Sequence, residues 1–319
     1  MNASKLLRLA GPFAGLLLVL VLFRALAGES FLSAYNLKTV LTQTVIVGLG
    51  AVGMTFVIVA GGIDLSVGSV IALASVVTAW FLREGFDPVT AASCGVLTGA
   101  ACGLVNGLVV TSLRIVPFIV TLGMLGVARG AAKWIGDEQK IDAPASGLGE
   151  WMSKTPDPPW LVFAPGVWLM FGLAALMAFV LRRTVLGVRT FAIGSNEEAA
   201  RLCGVPVART KVWLYVLCGA FAGLAGVMQF GRLTVGDPTT AIGKELDVIA
   251  AVVIGGGSLA GGEGSILGAI VGAFLMSFLA NGCTLAGVPN YVQEMIVGGI
   301  IVAAVAVDRL RHGRGAARG

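Results

Sequence analysis

Charge is scarce in this sequence. Of its 319 residues only 12% are Asp, Glu, Lys or Arg, against roughly 25% in a soluble globular domain. So few charged side chains cannot cover a globule, which excludes a water-soluble domain and leaves an outer face that meets lipid. Histidine occurs once, as His312 in the basic C-terminal tail, so a His-based metal site or proton relay has no second member. The five cysteines, Cys94, Cys102, Cys203, Cys218 and Cys283, form no Cys-x-x-Cys pair, and four lie in apolar runs. They read as small buried hydrophobes, not as a disulfide or metal framework. No phosphate-binding G-x-x-x-x-G-K-[ST] loop occurs; Gly243-Lys244 is followed by Glu245 and lacks the first glycine. No nucleophile, base or metal ligands converge, so the sequence offers no catalytic residues and no metal site.

What is present is apolar: 57% of the residues are hydrophobic, 46 are glycine, and the mean hydropathy is +0.92. A helical crossing of a bilayer takes about 20 apolar residues, with no lipid-exposed loop inside the hydrocarbon. Ten runs meet that description, at 9–27, 39–60, 66–82, 89–112, 116–134, 160–181, 212–231, 246–260, 265–283 and 290–307. The expected fold is an all-α polytopic membrane protein of about ten transmembrane helices in one domain, 1–319. The eighth run is short and ends in glycines. Lys5 and Arg8, an apolar run and Ala25-Leu26-Ala27 resemble a cleavable signal peptide, but with nine further spans an uncleaved first helix is the reading taken.

Lys and Arg beside short loops set the orientation. With both termini cytoplasmic, the inner face carries thirteen of the 22 basic residues and five acids. The outer loop 135–159 then carries many of the remaining acids, and the tail 308–319 is basic and cytoplasmic. The formal net charge of +5 therefore follows the membrane rule. Without an aromatic-interleaved basic patch it does not point to nucleic acid.

One cytoplasmic stretch, about 183–211, is more ordered than a linker. Ser195-Asn196-Glu197-Glu198 reads as a capping box in which Ser195 and Glu198 bond each other's amides. Glu197 and Arg201 stand at i and i+4, Gly204 suits the position after a helix end, and Pro206 prevents continuation. The spacing predicts a helix over 196–203, too short to span. It is either a solvated connector or a rigid peg that docks into a cytoplasmic partner.

Two glycine turns interrupt the apolar pattern, Gly61-Gly62-Ile63-Asp64-Leu65-Ser66-Val67-Gly68-Ser69 and the run Gly255–Ser265. Asp64 can cap the amides of the next helix, yet an acid between two apolar runs is costly and marks a functional position. Both readings can hold at once. Gly255, Gly257 and Ala260 match G-x-G-x-x-A only formally, because no strand precedes them and no acid follows at the required distance. The two turns echo each other in sequence, but both face the cytoplasm, which is not the pattern of an inverted repeat. Gln43, Asn106, Thr121 and Asn281 lie in or near spans and suit helix–helix hydrogen bonds. With Asp64 and Ser66, the residues Asn106, Thr121 and Asn281 form the candidate path for a neutral hydroxylated solute.

Gly53-Met54-Thr55 through Ser69, then Ala192-Ile193-Gly194-Ser195-Asn196-Glu197-Glu198-Ala199-Ala200-Arg201 and the Gly255–Gly264 turn, resemble the ribose-type permeases of ABC transporters over almost the whole chain. Loop 135–159 and the arginine-rich tail match less well. The resemblance implies a homodimeric inner-membrane permease domain working with two P-loop ATPase subunits and a periplasmic solute-binding protein. The cofactors ATP and Mg would sit on the partner ATPase and none on this chain. It also implies that Gly194, Ser195, Asn196, Glu197, Glu198, Ala199, Ala200, Arg201 and Gly204 form the segment coupled to the ATPase. A rival reading is an ion-coupled secondary transporter with Asp64 as its intramembrane acid.

Overall fold

The structure, a computed structural model, describes residues 3–316, side chains excepted at 3–10, 159 and 307–316. Lys5, Arg8 and the basic tail 308–319, with its single histidine, thus fall outside the described side chains. Twelve α-helices follow in order: α1 Ala3–Leu26, α2 Ala34–Val59, α3 Val67–Arg83, α4 Pro88–Ser112, α5 Pro117–Ile135, α6 Pro165–Arg183, α7 Val185–Ser195, α8 Glu197–Leu202, α9 Val207–Leu233, α10 Lys244–Ile254, α11 Ile266–Leu285 and α12 Asn290–Ala316. A two-residue antiparallel pairing of β1 (Ile141–Asp142) with β2 (Val235–Gly236) ties loop 135–159 to the chain after α9.

Local chemistry starts these helices where the sequence allows. Proline occupies the first turn of α4, α5 and α6, where its missing N–H costs nothing. Asp87 caps α4 by accepting from the amides of Val89 and Thr90 at 3.0 and 3.1 Å. Ser33 and Ser265 cap α2 and α11 in the same manner.

Among the described residues six helices, α2, α4, α5, α6, α9 and α11, are long and apolar enough to cross a membrane. The expected third and eighth spans differ from through-going helices. α3 has 17 residues and α10 only 11, about 16 Å of helix at 1.5 Å per residue. The apolar run 246–260 continues past the end of α10 into the glycine turn, whose backbone meets the ends of α2 and α7.

α2 is the buried centre, packed by α6, α9, α10 and α11. Its C-terminal end and the start of α9 lie at the same end of the molecule as α7 and α8. α2 and α9 therefore run in opposite directions, with Gly53 against Cys218 and Phe221. Each is followed by an extended stretch, a short helix and two further helices. α3 packs on α9 as α10 packs on α2; α4 packs on α9 as α11 packs on α2; and α5 covers α3 as α12 covers α10. The units α2–α5 and α9–α12 form an inverted repeat. It is not the repeat that the sequence echo offers, because the echoing turns at 61 and 255 share one end and touch each other. The structural counterpart of the 60–66 stretch is 234–243.

Small residues set the closest approach. Gly95, Gly99, Gly103 and Gly107 recur every four residues on α4 and face Val227, Gly223, Gly219, Tyr215 and Val212 of α9. A side chain at Gly99 or Gly103 would overlap the carbonyl oxygens of Gly219 or Tyr215. This is a small-xxx-small interface that brings two backbones together in a membrane. Gly103→Leu is expected to lower the unfolding free energy in detergent by about 3 kcal/mol or more, since overpacking a rigid contact displaces backbone. Gly172→Leu, where nothing lies within 4 Å, should stay near wild type. Equal melting of the two variants would contradict this packing.

Candidate functional site

The segment 184–205 is two helices joined at a break rather than one helix in a loop. α7 continues through Ser195, and Asn196 takes an extended conformation at φ −163°. The cap of α8 is therefore Asn196, whose Oδ1 accepts from the Ala199 amide at 2.9 Å. The expected Ser195–Glu198 capping box does not form, because Ser195 is already the last residue of the preceding helix. The far end of α8 follows expectation. Gly204 has φ +81°; its amide donates to Arg201 O and that of Val205 to Ala200 O, both at 3.0 Å. That is a complete Schellman closure. Glu197 holds Arg201 at 3.2 Å and Lys211 of α9 at 2.5 Å, which fixes α8 against the start of α9. Glu198, Ala199, Arg201 and Gly204 are exposed, Ala200 is buried, and Leu202 is 90% exposed at the tip.

Gly194 lies where α7 meets both glycine turns. A Cβ there would overlap Val59 O at the end of α2 and lie 2.5 Å from Gly262 N. The Gly262 amide donates to Val59 O at 2.8 Å. Gly261, at φ +85°, has room for no side chain beside Gly194 and the Cα of Gly61. Three backbones thus touch without intervening side chains: the end of α2, the end of α7 and the turn between α10 and α11. A displacement of α7–α8 must reach both turns, since no compressible side chain separates them.

Above this junction the chain 63–66 climbs back along α2 to start α3 inside the bundle, with Val67 opposite Gly50. Asp64, 2% exposed, accepts at Oδ1 from the Ser66 amide at 2.9 Å and from the Ser66 hydroxyl at 2.6 Å. Asn106 of α4 donates to Ser66 Oγ at 3.1 Å, and the Thr121 hydroxyl of α5 donates to Ile63 O at 3.2 Å. Four of the five candidate path residues therefore converge on the unwound start of α3. Cys218 and Tyr215 of α9 complete the cluster beside Asp64. Tyr215 Oη and Asn106 Oδ1 are buried there without a hydrogen-bond partner.

Asn281 lies apart. It exchanges hydrogen bonds with Asn36 at 2.8 and 3.0 Å, a clasp between α11 and α2. Among the described residues no three His, Cys, Asp or Glu side chains stand together as metal ligands. The sequence reading passed over the glycine rows of α4 and α9, although their four-residue spacing is legible, and it passed over Cys218 and Tyr215, which carry no local signal.

Helices broken inside a bundle, an inverted repeat and a polar cluster at one break define a transport-type membrane protein that spans the bilayer several times. Residues 36–305 match the model of a family described as branched-chain amino acid transport system / permease component, and the chain belongs to that family. It is 40% identical over 307 residues to a ribose import permease protein of Bacillus subtilis (strain 168), covering 94% of this chain and 92% of the relative. It is 38% identical over 306 residues to the ribose import permease protein of Escherichia coli (strain K12), covering 93% and 92%. An L-arabinose ABC transporter permease protein of Azospirillum brasilense is 37% identical over 310 residues, covering 94% and 88%. The resemblance to ribose-type ABC permeases seen in the motifs holds over most of the chain. No solved structure matches the chain.

Proposed function

We propose that this chain is the membrane subunit of a binding-protein-dependent ABC importer that admits a monosaccharide or related polar solute. ATP and Mg are held and used by a separate P-loop ATPase, and a periplasmic binding protein delivers the solute to a homodimer in the inner membrane. The chain crosses the membrane about ten times with both termini cytoplasmic, α3 and α10 crossing together with the extended stretches that precede them. Relatives named for ribose, L-arabinose, fructose and D-allose support a sugar as cargo.

The observation that carries this reading is the rigid α8 with its backbone junction at Gly194. A helix capped at both ends, tied by Glu197 to α9 and carrying an exposed Leu202, is a docking element joined without slack to both broken helices. In this mechanism, closure of the ATPases moves α7–α8, the Gly61 and Gly261 turns follow, and the bundle opens to the other side. The ion-coupled alternative keeps Asp64 as its centre. Against it, the Asp64 side chain is engaged by the amide and hydroxyl of Ser66, the residue from which α3 starts.

The test is crosslinking in the native membrane from Glu198→Cys in a Cys203→Ser background. That position is exposed and leaves the Glu197 ion pairs in place. The expected adduct contains a P-loop ATPase, identified by mass spectrometry. Free labelling by a water-soluble maleimide with no ATPase adduct would remove the coupling role and leave the ion-driven reading.

A further inference from the structure

The 234–243 stretch, counterpart of the stretch that holds Asp64, descends from the end of α9 to start α10 inside the bundle. Its depth can be read from α2. Val248 of α10 packs against Gly50, nine residues from the end of α2 at Val59, which is about 14 Å of helix. Glu245 lies almost one turn further from that end, close to the middle of a hydrocarbon layer about 30 Å thick. Its Oε2 occupies the space a side chain at Gly68 would need, beside the first turn of α3. The two broken helices therefore meet start to start at Glu245.

Arg129 of α5 reaches the same place. Its Nη1 donates to Pro238 O and Thr240 O, both at 2.7 Å, in the stretch that leads into Glu245. Nε and Nη2 bond no other protein atom and are not buried. Lys244, next to Glu245, is already paired with Asp247 at 2.6 Å, so Glu245 has no direct ion-pair partner among the described residues. Both groups are partly open. Charged groups at this depth are costly and are kept where they face a partner or a polar pathway. In transporters built from inverted repeats, the starts of broken helices are where solutes are held.

We propose that Arg129 and Glu245 form the intramembrane contact for the hydroxyl groups of the passing solute. Unused guanidinium N–H groups donate to hydroxyl oxygens and the carboxylate accepts hydroxyl protons, a complementary set for a polyhydroxylated neutral molecule. Gly68 is small because Glu245 must fit against α3. The inference rests on the importer reading and names its cargo contact.

The test is ATP-driven uptake by proteoliposomes holding the permease, its ATPase and its binding protein. The probes are radiolabelled D-ribose, L-arabinose, D-fructose and D-allose, then single-deoxy analogues of whichever sugar wild type moves. Glu245→Gln and Arg129→Lys are expected to keep the complex assembled and its ATPase stimulated by loaded binding protein. Uptake of the parent sugar should fall about tenfold to a hundredfold, the span of one charge-assisted hydrogen bond. At least one deoxy analogue should lose little further, because its missing hydroxyl is the one the variant no longer holds. Equal losses for the parent sugar and every analogue, or unchanged uptake, would overturn the contact while leaving the importer standing. A wild-type complex that moves none of the four sugars would overturn the sugar reading, and this contact with it.

Discussion

Gly194→Ala is expected to cut solute uptake by about a hundredfold while α8 still crosslinks to its ATPase. The substitution adds one methyl group, but that methyl meets Val59 O and Gly262 N. Neither backbone atom can rotate aside as a side chain would. The end of α2 and the Gly261 turn must separate, and the bond from Gly262 N to Val59 O, 2.8 Å long, lengthens or breaks. A displacement near 1 Å in a positioning element is enough for a hundredfold loss. ATP hydrolysis should continue and lose its dependence on loaded binding protein, because the pull on α8 no longer reaches the broken helices. Uptake above half of wild type would show that the junction tolerates slack and does not transmit the stroke. Ala199→Ser, exposed on α8, should leave both uptake and hydrolysis intact.

The second large effect is expected at Asp64. Asp64→Leu strips the acceptor from the Ser66 amide and hydroxyl, leaving buried donors at the start of α3. The cost should be about 3 kcal/mol of unfolding free energy, at the upper end for orphaned buried polar groups. Asp64→Asn keeps an oxygen in place and should cost under half as much, with ATP-driven uptake reduced only several-fold. The pair of variants separates two roles. If Asp64 serves to hold Ser66 at the start of α3, the neutral Asn works and uptake still follows ATP. If the chain is ion-coupled, Asp64→Asn should abolish uptake, and wild-type uptake should follow a proton or sodium gradient with no ATPase present.

The two predictions lie at opposite ends of what the sequence disclosed. Asp64 was legible because an acid between apolar runs has few explanations, and the turn after Gly61-Gly62 located it. Ser66 bonds it from two residues on, and Asn106 and Thr121 join in space, 40 residues from Ser66 and 58 from Ile63, as expected for polar residues on neighbouring helices. Asn281 was grouped with them on residue type alone; its clasp to Asn36 depends on which helices are adjacent, which hydropathy does not encode. Six long spans were legible because lipid demands continuous apolar runs. α10 was not, because hydropathy registers that a run is apolar and not that its helix has ended at Ile254. The cap of α8 was misplaced by one residue, since Ser195 and Asn196 are both good caps. Only the length of α7 decides between them. The pull of Glu245 on Gly68 was invisible, being a contact across 177 residues.

The inverted repeat matches its halves in outline but not in the material that joins them. α4 is fused to α9 along four glycine steps with backbone lying on backbone, whereas its counterpart α11 meets α2 through side chains such as Ile270 at Gly48. Side chains change rotamer at little cost, and fused backbones do not. The α4–α9 seam is therefore the stiffer of the two, and the α2–α11 seam yields only along its side chains, since at the Gly262–Val59 bond it too is backbone on backbone.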